Sequence, residues 1–433
     1  MREMKDSGIE WIGEIPSDWI INRIKFVADL FNGDRGKNYP SGDDLVDDGI
    51  VFLSSNNIHD VVLDVSPEKS KYITNEHYKL LAGAKIKIND IIYCLRGSVG
   101  LCAINQSASE GTIASSLLDI RPKNVSPKFL NYYLQSPANT IQTLMNMNGS
   151  CASNLSAENV ANYYLIEPPI NEQNKIANYL DQKCSEIDAI TKDIQTQIDT
   201  LEQYKRSVIT EAVTKGLDPD VEMKDSGIAW CPRIPAHWNT TNPKALFTLR
   251  NQRAIPGERQ LTASQKYGIV FQDEFMEMEN QKVVTVVKDF SILKHVEPND
   301  FVISMRSFQG GLEYSEKSGC ISSAYVMLIP NKDKVYPPFY RWFFKSSKYI
   351  NALQSTTNLV RDGQAMRFSN FAMVPLFIIP MEEQKKIADN LNGKVEQIDQ
   401  ILKDKQNQLS TLSDYKKSLI YEYVTGKKEV PAE

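Results

Sequence analysis

Residues Asn171–Gly216 read NEQNKIANYLDQKCSEIDAITKDIQTQIDTLEQYKRSVITEAVTKG, near the middle of a 433-residue chain. Apolar side chains recur at steps of three and four: Ile176, Leu180, Ile187, Ile190, Ile194, Ile198, Leu201, Val208 and Ala212. That spacing predicts one amphipathic helix with a near-heptad stripe. Pro168 and Pro169 precede it, Asn171 can cap its first turn and Gly216 can end it. At ~1.5 Å per residue the helix runs roughly 65 Å, too long for one ordinary domain, so it must project, pair or join two bodies.

Working outward, the helix recurs. Glu172-Gln173-x-Lys175-Ile176-Ala177 returns as Glu383-Gln384-x-Lys386-Ile387-Ala388. Tyr204-Lys205-x-Ser207-x-Ile209 returns as Tyr415-Lys416-x-Ser418-x-Ile420, at the same offset of 211. The second stripe is Ile387, Leu391, Val395, Ile398, Ile401, Leu409, Leu412 and Leu419; Gly393 and Lys405 weaken it without breaking it. Upstream, Met4–Trp19 (MKDSGIEWIGEIPSDW) returns as Met223–Trp238 (MKDSGIAWCPRIPAHW), with ten of sixteen positions identical at an offset of 219. Between these repeated frames lie two inserts that look little alike, Ile20–Pro168 and Asn239–Ile379. Two helices of matched length can bury their stripes against each other, and chain order makes the pair antiparallel.

The inserts alternate apolar runs with polar turns and a short helix, a mixed α/β pattern. In the first, Gly49–Leu53, Ile91–Leu95, Leu117–Ile120 and Tyr163–Ile166 read as strands and Lys128–Leu134 as a helix; in the second, Phe301–Met305, Ser323–Ile329 and Leu376–Ile379 read as strands and Pro338–Phe344 as a helix. The expected divisions are 1–168 (first globular domain with its leading segment 4–19), 169–216 (first long helix), 217–378 (second domain with leading segment 223–238) and 379–433 (second long helix and tail).

Composition bounds the chemistry. With 49 basic and 54 acidic residues the net charge is −5, which argues mildly against a nucleic-acid binder unless local basic loops outweigh the sum. No stretch reaches transmembrane length and the start carries no signal core, so a cytoplasmic protein is expected. The six cysteines and four histidines are scattered without ligand spacing, which predicts reduced thiols and no metal site. The Gly-rich segments Arg96–Gly100 and Arg306–Gly311 match neither a P-loop nor a dinucleotide fingerprint. No catalytic constellation and no cofactor motif emerge. The same segments suit a turn that offers Arg, Ser and Gln to base edges and lets backbone approach phosphate.

The duplicated frame, Asp6-Ser7-Gly8-Ile9-x-Trp11-x-x-x-Ile15-Pro16-x-x-Trp19 followed by a Glu-Gln-x-x-Ile-Ala helix, resembles the specificity subunit of Type I restriction–modification enzymes, over nearly the whole chain. The resemblance implies two target recognition domains for the two halves of a split double-stranded DNA site, on a pseudo-two-fold frame of antiparallel helices. It also implies docking of two modification (methyltransferase) subunits, which hold the cofactor, and of restriction subunits. Polar residues in the predicted turns are the candidate DNA contacts: Arg35, Lys37, Asn56, Asn57, Arg96, Ser98, Ser153 and Asn154 in the first domain, and Arg253, Arg306, Gln309, Arg361, Gln364 and Arg367 in the second. Two alternatives stay open: a related split-site system whose one partner both cleaves and methylates, and a coiled-coil scaffold that binds no DNA.

Overall fold

The structure is a computed structural model, and it describes residues 2–59, 61–147, 154–280, 290–304, 307–356 and 366–431. It is a mixed α/β chain of two compact units, Met1–Ile194 with Asn407–Glu433, and Gln195–Gln406. The predicted long helices are present as Ile170–Lys215 and Met381–Val424. Each unit holds a part of both.

The first unit is built on a four-stranded antiparallel sheet. Its strands are β1 (Ala28–Asn32), β2 (Ile91–Cys94), β3 (Cys102–Ile104) and β4 (Leu117–Pro122), in spatial order β3-β2-β4-β1. The central strand β2 is buried on both faces, which explains its unbroken apolar run. Ile91 and Tyr93 point into one core with the helix Pro127–Gln135 and the long helices; Ile92 and Cys94 point into a second, with Val51, Leu53 and Ile113. A smaller sheet, in which Gly111–Ile113 pairs parallel with Ile50–Leu53, covers that second core.

The second unit repeats this sheet although its sequence hides the fact. Strands β5 (Phe247–Arg250), β6 (Phe301–Ile303), β7 (Glu313–Tyr314) and β8 (Val326–Pro330) lie in the order β7-β6-β8-β5. Phe301 and Ile303 face the larger core and Val302 the smaller. One end of each sheet is bolted by a buried aspartate in the turn before the central strand. Asp90 accepts from Arg121 Nε at 3.0 Å, and Asp300 from Arg250 Nε at 2.6 Å. In both turns the preceding residue, Asn89 or Asn299, is left-handed, at φ +73° and +76°, a conformation asparagine tolerates better than most residues.

The repeated sequence marks are structural locks. Met4–Asp6 pairs with Glu14–Pro16 in the same register as Met223–Asp225 with Arg233–Pro235. The buried Trp19 donates its indole N–H to Glu172 at 3.0 Å; Trp238 donates to Glu383 at the same distance. Gln173 accepts the backbone N–H of Ser126 and Gln384 that of Tyr336. Each Glu-Gln pair thus ties the start of a long helix to its leading segment and to its domain.

Within each unit the two long helices pack antiparallel. The buried and half-buried seam runs Ile187, Thr191, Ile194, Ile198, Leu201, Lys205, Val208, Ala212, and 211 residues later Ile398, Leu402, Lys405, Leu409, Leu412, Lys416, Leu419, Tyr423. Two members of the predicted stripe are corrected. Ile190 and Ile401 are 49% and 44% exposed, because each lies one residue off the alternating four-three step that keeps a seam on one face. Arg306–Gly311, read as a glycine-rich turn, contains a short helical turn at Ser307–Gly310.

Candidate DNA interface

Strands β1 and β2 are both antiparallel to β4, so their C-terminal ends emerge at the same end of the sheet, opposite the Asp90 bolt. The loops leaving there form a polar rim. Arg96 follows β2, and its Nε donates to Asn154 Oδ1 at 3.2 Å, across 58 residues of chain. An antiparallel bridge between the two residues, with Leu155 N donating to Leu95 O, fixes that pair. Ser98 is exposed on the loop that Cys94 and Leu101 close by hydrogen bonds. Arg35, in the loop after β1, donates Nη2 to Ser115 O at 3.3 Å, and Lys37 beside it is exposed.

Asn56 is exposed on the turn after Ile50–Leu53, next to that rim: a Cβ at Gly97 would stand 4.0 Å from Ser55 Oγ. Its neighbour Asn57 is only 1% exposed. The Asn57 amide donates to Asp64 O at 3.0 Å and its oxygen accepts from Ser54 N at 2.8 Å. Asn57 holds the turn that presents Asn56. The structure therefore brings Arg35, Asn56, Arg96, Ser98 and Asn154 to one end of the sheet, while Ser153 lies outside the described residues.

The second unit has the same rim with different residues. Arg253 follows β5, bridges to Lys294 in antiparallel fashion and donates Nη1 to Ile292 O at 3.0 Å. Gln309 is exposed on the helical turn that follows β6. Met366 is buried, and the exposed Arg367 holds the N-cap position of the helix Phe368–Met373, its backbone N–H donating to Asn370 Oδ1 at 3.1 Å. They hold the positions of the buried Leu155 and of Ser156 in the first unit, where Ser156 N likewise donates to Asn159 Oδ1 and the Ser156 hydroxyl in addition caps Ala157–Ala161 by accepting Asn159 N. Arg306, Arg361 and Gln364 lie outside the described residues.

Lys294 joins the rim without any local mark in the sequence. Its half-buried ammonium donates to Tyr325 O at 2.7 Å. Burial, then the neighbouring Arg253 charge, pulls its pKa below the ordinary lysine value. Two crowded cations favour an anion between them. Nothing in the run Ile292-Leu293-Lys294-His295-Val296 marks it, because the signal is the non-local approach of Arg253.

Among the described residues no group of three or more His, Cys, Asp or Glu side chains could hold a metal ion, and no helix is long and apolar enough to cross a membrane. What each rim offers is guanidinium, amide and hydroxyl groups on backbone fixed by a sheet, the side chains that read base edges and grip phosphate.

Comparison with known proteins agrees with this geometry. Residues 16–200 and 235–411 both match the model of the Type I restriction modification DNA specificity domain. A putative type I restriction enzyme specificity subunit, MjaX, of Methanocaldococcus jannaschii is 24% identical over 429 residues, covering 96% of this chain and 95% of that protein. The EcoBI specificity subunit of Escherichia coli is 26% identical over 208 residues, 46% of this chain and 42% of its own. Among solved structures, a chain from a study of complex assembly and conformational transition of the type I R-M system superposes with a TM-score of 0.70 at 15% identity, over 96% of this chain and 99% of that one. The HsdS subunit from Thermoanaerobacter tengcongensis gives 0.51 at 16%, over 96% and 98%. Two copies of the DNA specificity domain on one duplicated helical frame make this chain a member of the Type I restriction–modification specificity subunit family, a DNA-recognition component and not an enzyme.

Proposed function

We propose that the chain reads a split, asymmetric double-stranded DNA site in the cytoplasm, one half-site per domain, and that its paired helices dock two modification subunits and, through the assembly, restriction subunits. One observation carries this reading. The two units have the same central sheet, aspartate bolt, tryptophan lock and helix seam, yet differ at the rim, where the first carries Arg35, Asn56, Arg96, Ser98 and Asn154 and the second Arg253, Lys294, Gln309 and Arg367. A shared frame with unlike rims suits unlike half-sites.

The helices support the docking of a duplicated partner. Ile190 and Tyr415 are exposed in the first unit, and Tyr204 and Ile401 in the second, with Tyr204 and Tyr415 at 55% and 54%. Ile190 recurs as Ile401 and Tyr204 as Tyr415, each 211 positions on, so each unit exposes one isoleucine and one tyrosine on its long helices. Two like sets of exposed apolar side chains suit two copies of one partner.

The test is methylome sequencing of a host that carries the chain with its modification partner, repeated after exchanging the second insert for that of a relative. The expected result is a two-part motif in which only one part changes. A continuous motif, or a change in both parts, would sink the split-site reading.

A further inference from the structure

Two carboxylates belong to the arginine-bearing loops themselves, where a negative charge beside DNA would be costly. Asp34 begins the loop Asp34-Arg35-Gly36-Lys37 and makes no ion pair among the described residues. Its Oδ1 accepts Gly36 N at 2.6 Å and its Oδ2 accepts Ala82 N at 2.9 Å, two segments far apart in sequence. Those backbone donors, Gly36 first and Ala82 next, hold the carboxyl below the usual aspartate range. The chain closes around it through two glycines. A Cβ on Gly33 would stand 2.3 Å from Ala114 O, and one on Gly83 would stand 2.4 Å from Asp34 N, so only glycine fits at either position.

The second unit builds a counterpart from other residues. Glu258 Oε2 accepts Ile255 N at 2.8 Å, pinning the loop that follows Arg253, while Oε1 pairs with the buried His295 Nδ1. His295 N in turn donates to Gln252 O at 3.0 Å, just before Arg253. Each loop hangs from a carboxylate whose oxygens are held by groups of the protein itself, at the half-exposed Asp34 by backbone N–H groups and at the more buried Glu258 by Ile255 N and His295.

We propose that Asp34 and Glu258 are positioning residues for DNA reading, each fixing the backbone loop that presents Arg35 or Arg253 at the rim. This rests on the reading of the rims as DNA interfaces. The carboxylates touch no DNA. They remove the freedom the loops would otherwise lose on binding, so the arginines arrive in place.

The test is a binding cycle on the full chain assembled with its modification partner. The probes are a duplex carrying the motif found by methylome sequencing and a shuffled duplex of equal length. Asp34→Ala should weaken motif binding about tenfold, as should Arg35→Ala with Lys37→Ala. Adding Asp34→Ala to that double variant should then cost under about twofold more, since the two act through one loop. Glu258→Gln and Arg253→Ala should behave alike, with their loss confined to the other half of the motif.

Losses that multiply in full, or motif binding unchanged by Asp34→Ala in a folded chain, would overturn the proposal. If Asp34→Ala does not fold, Asp34→Asn carries the same cycle, because it keeps one acceptor and gives up the other. Failure of the unaltered assembly to prefer the motif duplex would instead overturn the DNA-interface reading itself.

Discussion

Lys416 on the second long helix places its Nζ 2.6 Å from Asp188 Oδ1 on the first. The pair recurs as Lys205 with Asp399, at 2.5 Å, each residue 211 positions from its counterpart. Both lysines occupy seam positions where an apolar side chain would pack better. A polar seam residue lowers stability and specifies register, because only one alignment brings its partner within reach. Asp188→Lys should therefore lower the denaturation midpoint, and Lys416→Asp on top of it should restore most of the loss. The coupling should be about 0.2–1 kcal/mol, since the aspartate is well exposed. Thermal melts of the two single variants and the double check this, and a double variant no better than the worse single would refute it.

The seam shows what a single sequence reveals and what it conceals. Helix length and duplication were legible because the three-four period and the offset of 211 are local signals, whereas Asn171, the expected cap, lies inside a helix that starts at Ile170 and whose first N–H groups reach Pro169 O. Ile190 and Ile401 fit the apolar stripe because a short window accepts either step. Tyr133 and Tyr340, whose hydroxyls donate to Tyr164 O and Phe377 O, sit in the two short helices expected over Lys128–Leu134 and Pro338–Phe344. The aspartate bolts were invisible, because Arg121 reaches Asp90 from β4 while Arg250 reaches Asp300 from β5. Equal roles filled from different strands leave no alignable trace. At the rim, turn chemistry marked the loops but could not tell Asn56, which faces outward, from Asn57, which holds the turn.

Asp119 supplies a pH dependence. It is buried in β4 beside Asp90, with Arg121 Nη2 3.3 Å from Oδ2 and no hydrogen-bond partner for Oδ1. Burial, helped by the Asp90 charge and opposed by Arg121, pushes its pKa up to about 8 from an ordinary 3.8. The folded chain then holds a proton that the unfolded chain has released. Its neutral form favours the fold fully below the ordinary value, and that advantage is lost as pH climbs towards 8. Asp119→Asn should flatten the fall in melting temperature between pH 5 and pH 9 relative to the unaltered chain. Parallel profiles for the two proteins would contradict the assignment.

Arg96 and Lys37 should fail differently. Arg96 is oriented by Asn154, an arrangement suited to a base edge, so Arg96→Ala should cost ~1–3 kcal/mol on the motif and relax one position of it. Lys37 is an exposed point charge, so Lys37→Ala should weaken motif and shuffled duplexes alike. Binding titrations on both probes decide the matter; a uniform loss for Arg96→Ala would reassign it to phosphate.

The helices should act as a ruler. Lengthening one alone misaligns the seam and separates Lys205 from Asp399. Four residues inserted after Ile194 and four after Lys405 keep the seam matched, since these positions correspond across the repeat. The added turn is about 6 Å, or about two base pairs at ~3.4 Å each. Methylome sequencing should show a longer gap between unchanged half-sites. Altered bases with an unchanged gap would deny the helices this role.

The chain is acidic overall, at −5, yet it belongs to a DNA-recognition family. Each rim concentrates cations locally, Arg35 with Lys37 and Arg253 with Lys294, but the remaining surface repels phosphate at longer range. If modification subunits dock as proposed, tight binding requires that they neutralise many of the phosphates. The number released is read from the slope of log affinity against log salt, about 0.9 per phosphate neutralised on duplex DNA. The isolated chain should bind its motif weakly with a shallow slope, and assembly with the modification subunits should steepen the slope and raise the affinity together. Equal affinity and equal slope for the chain alone and for the assembly would mean that the rims suffice, and that partner subunits contribute chemistry without grip.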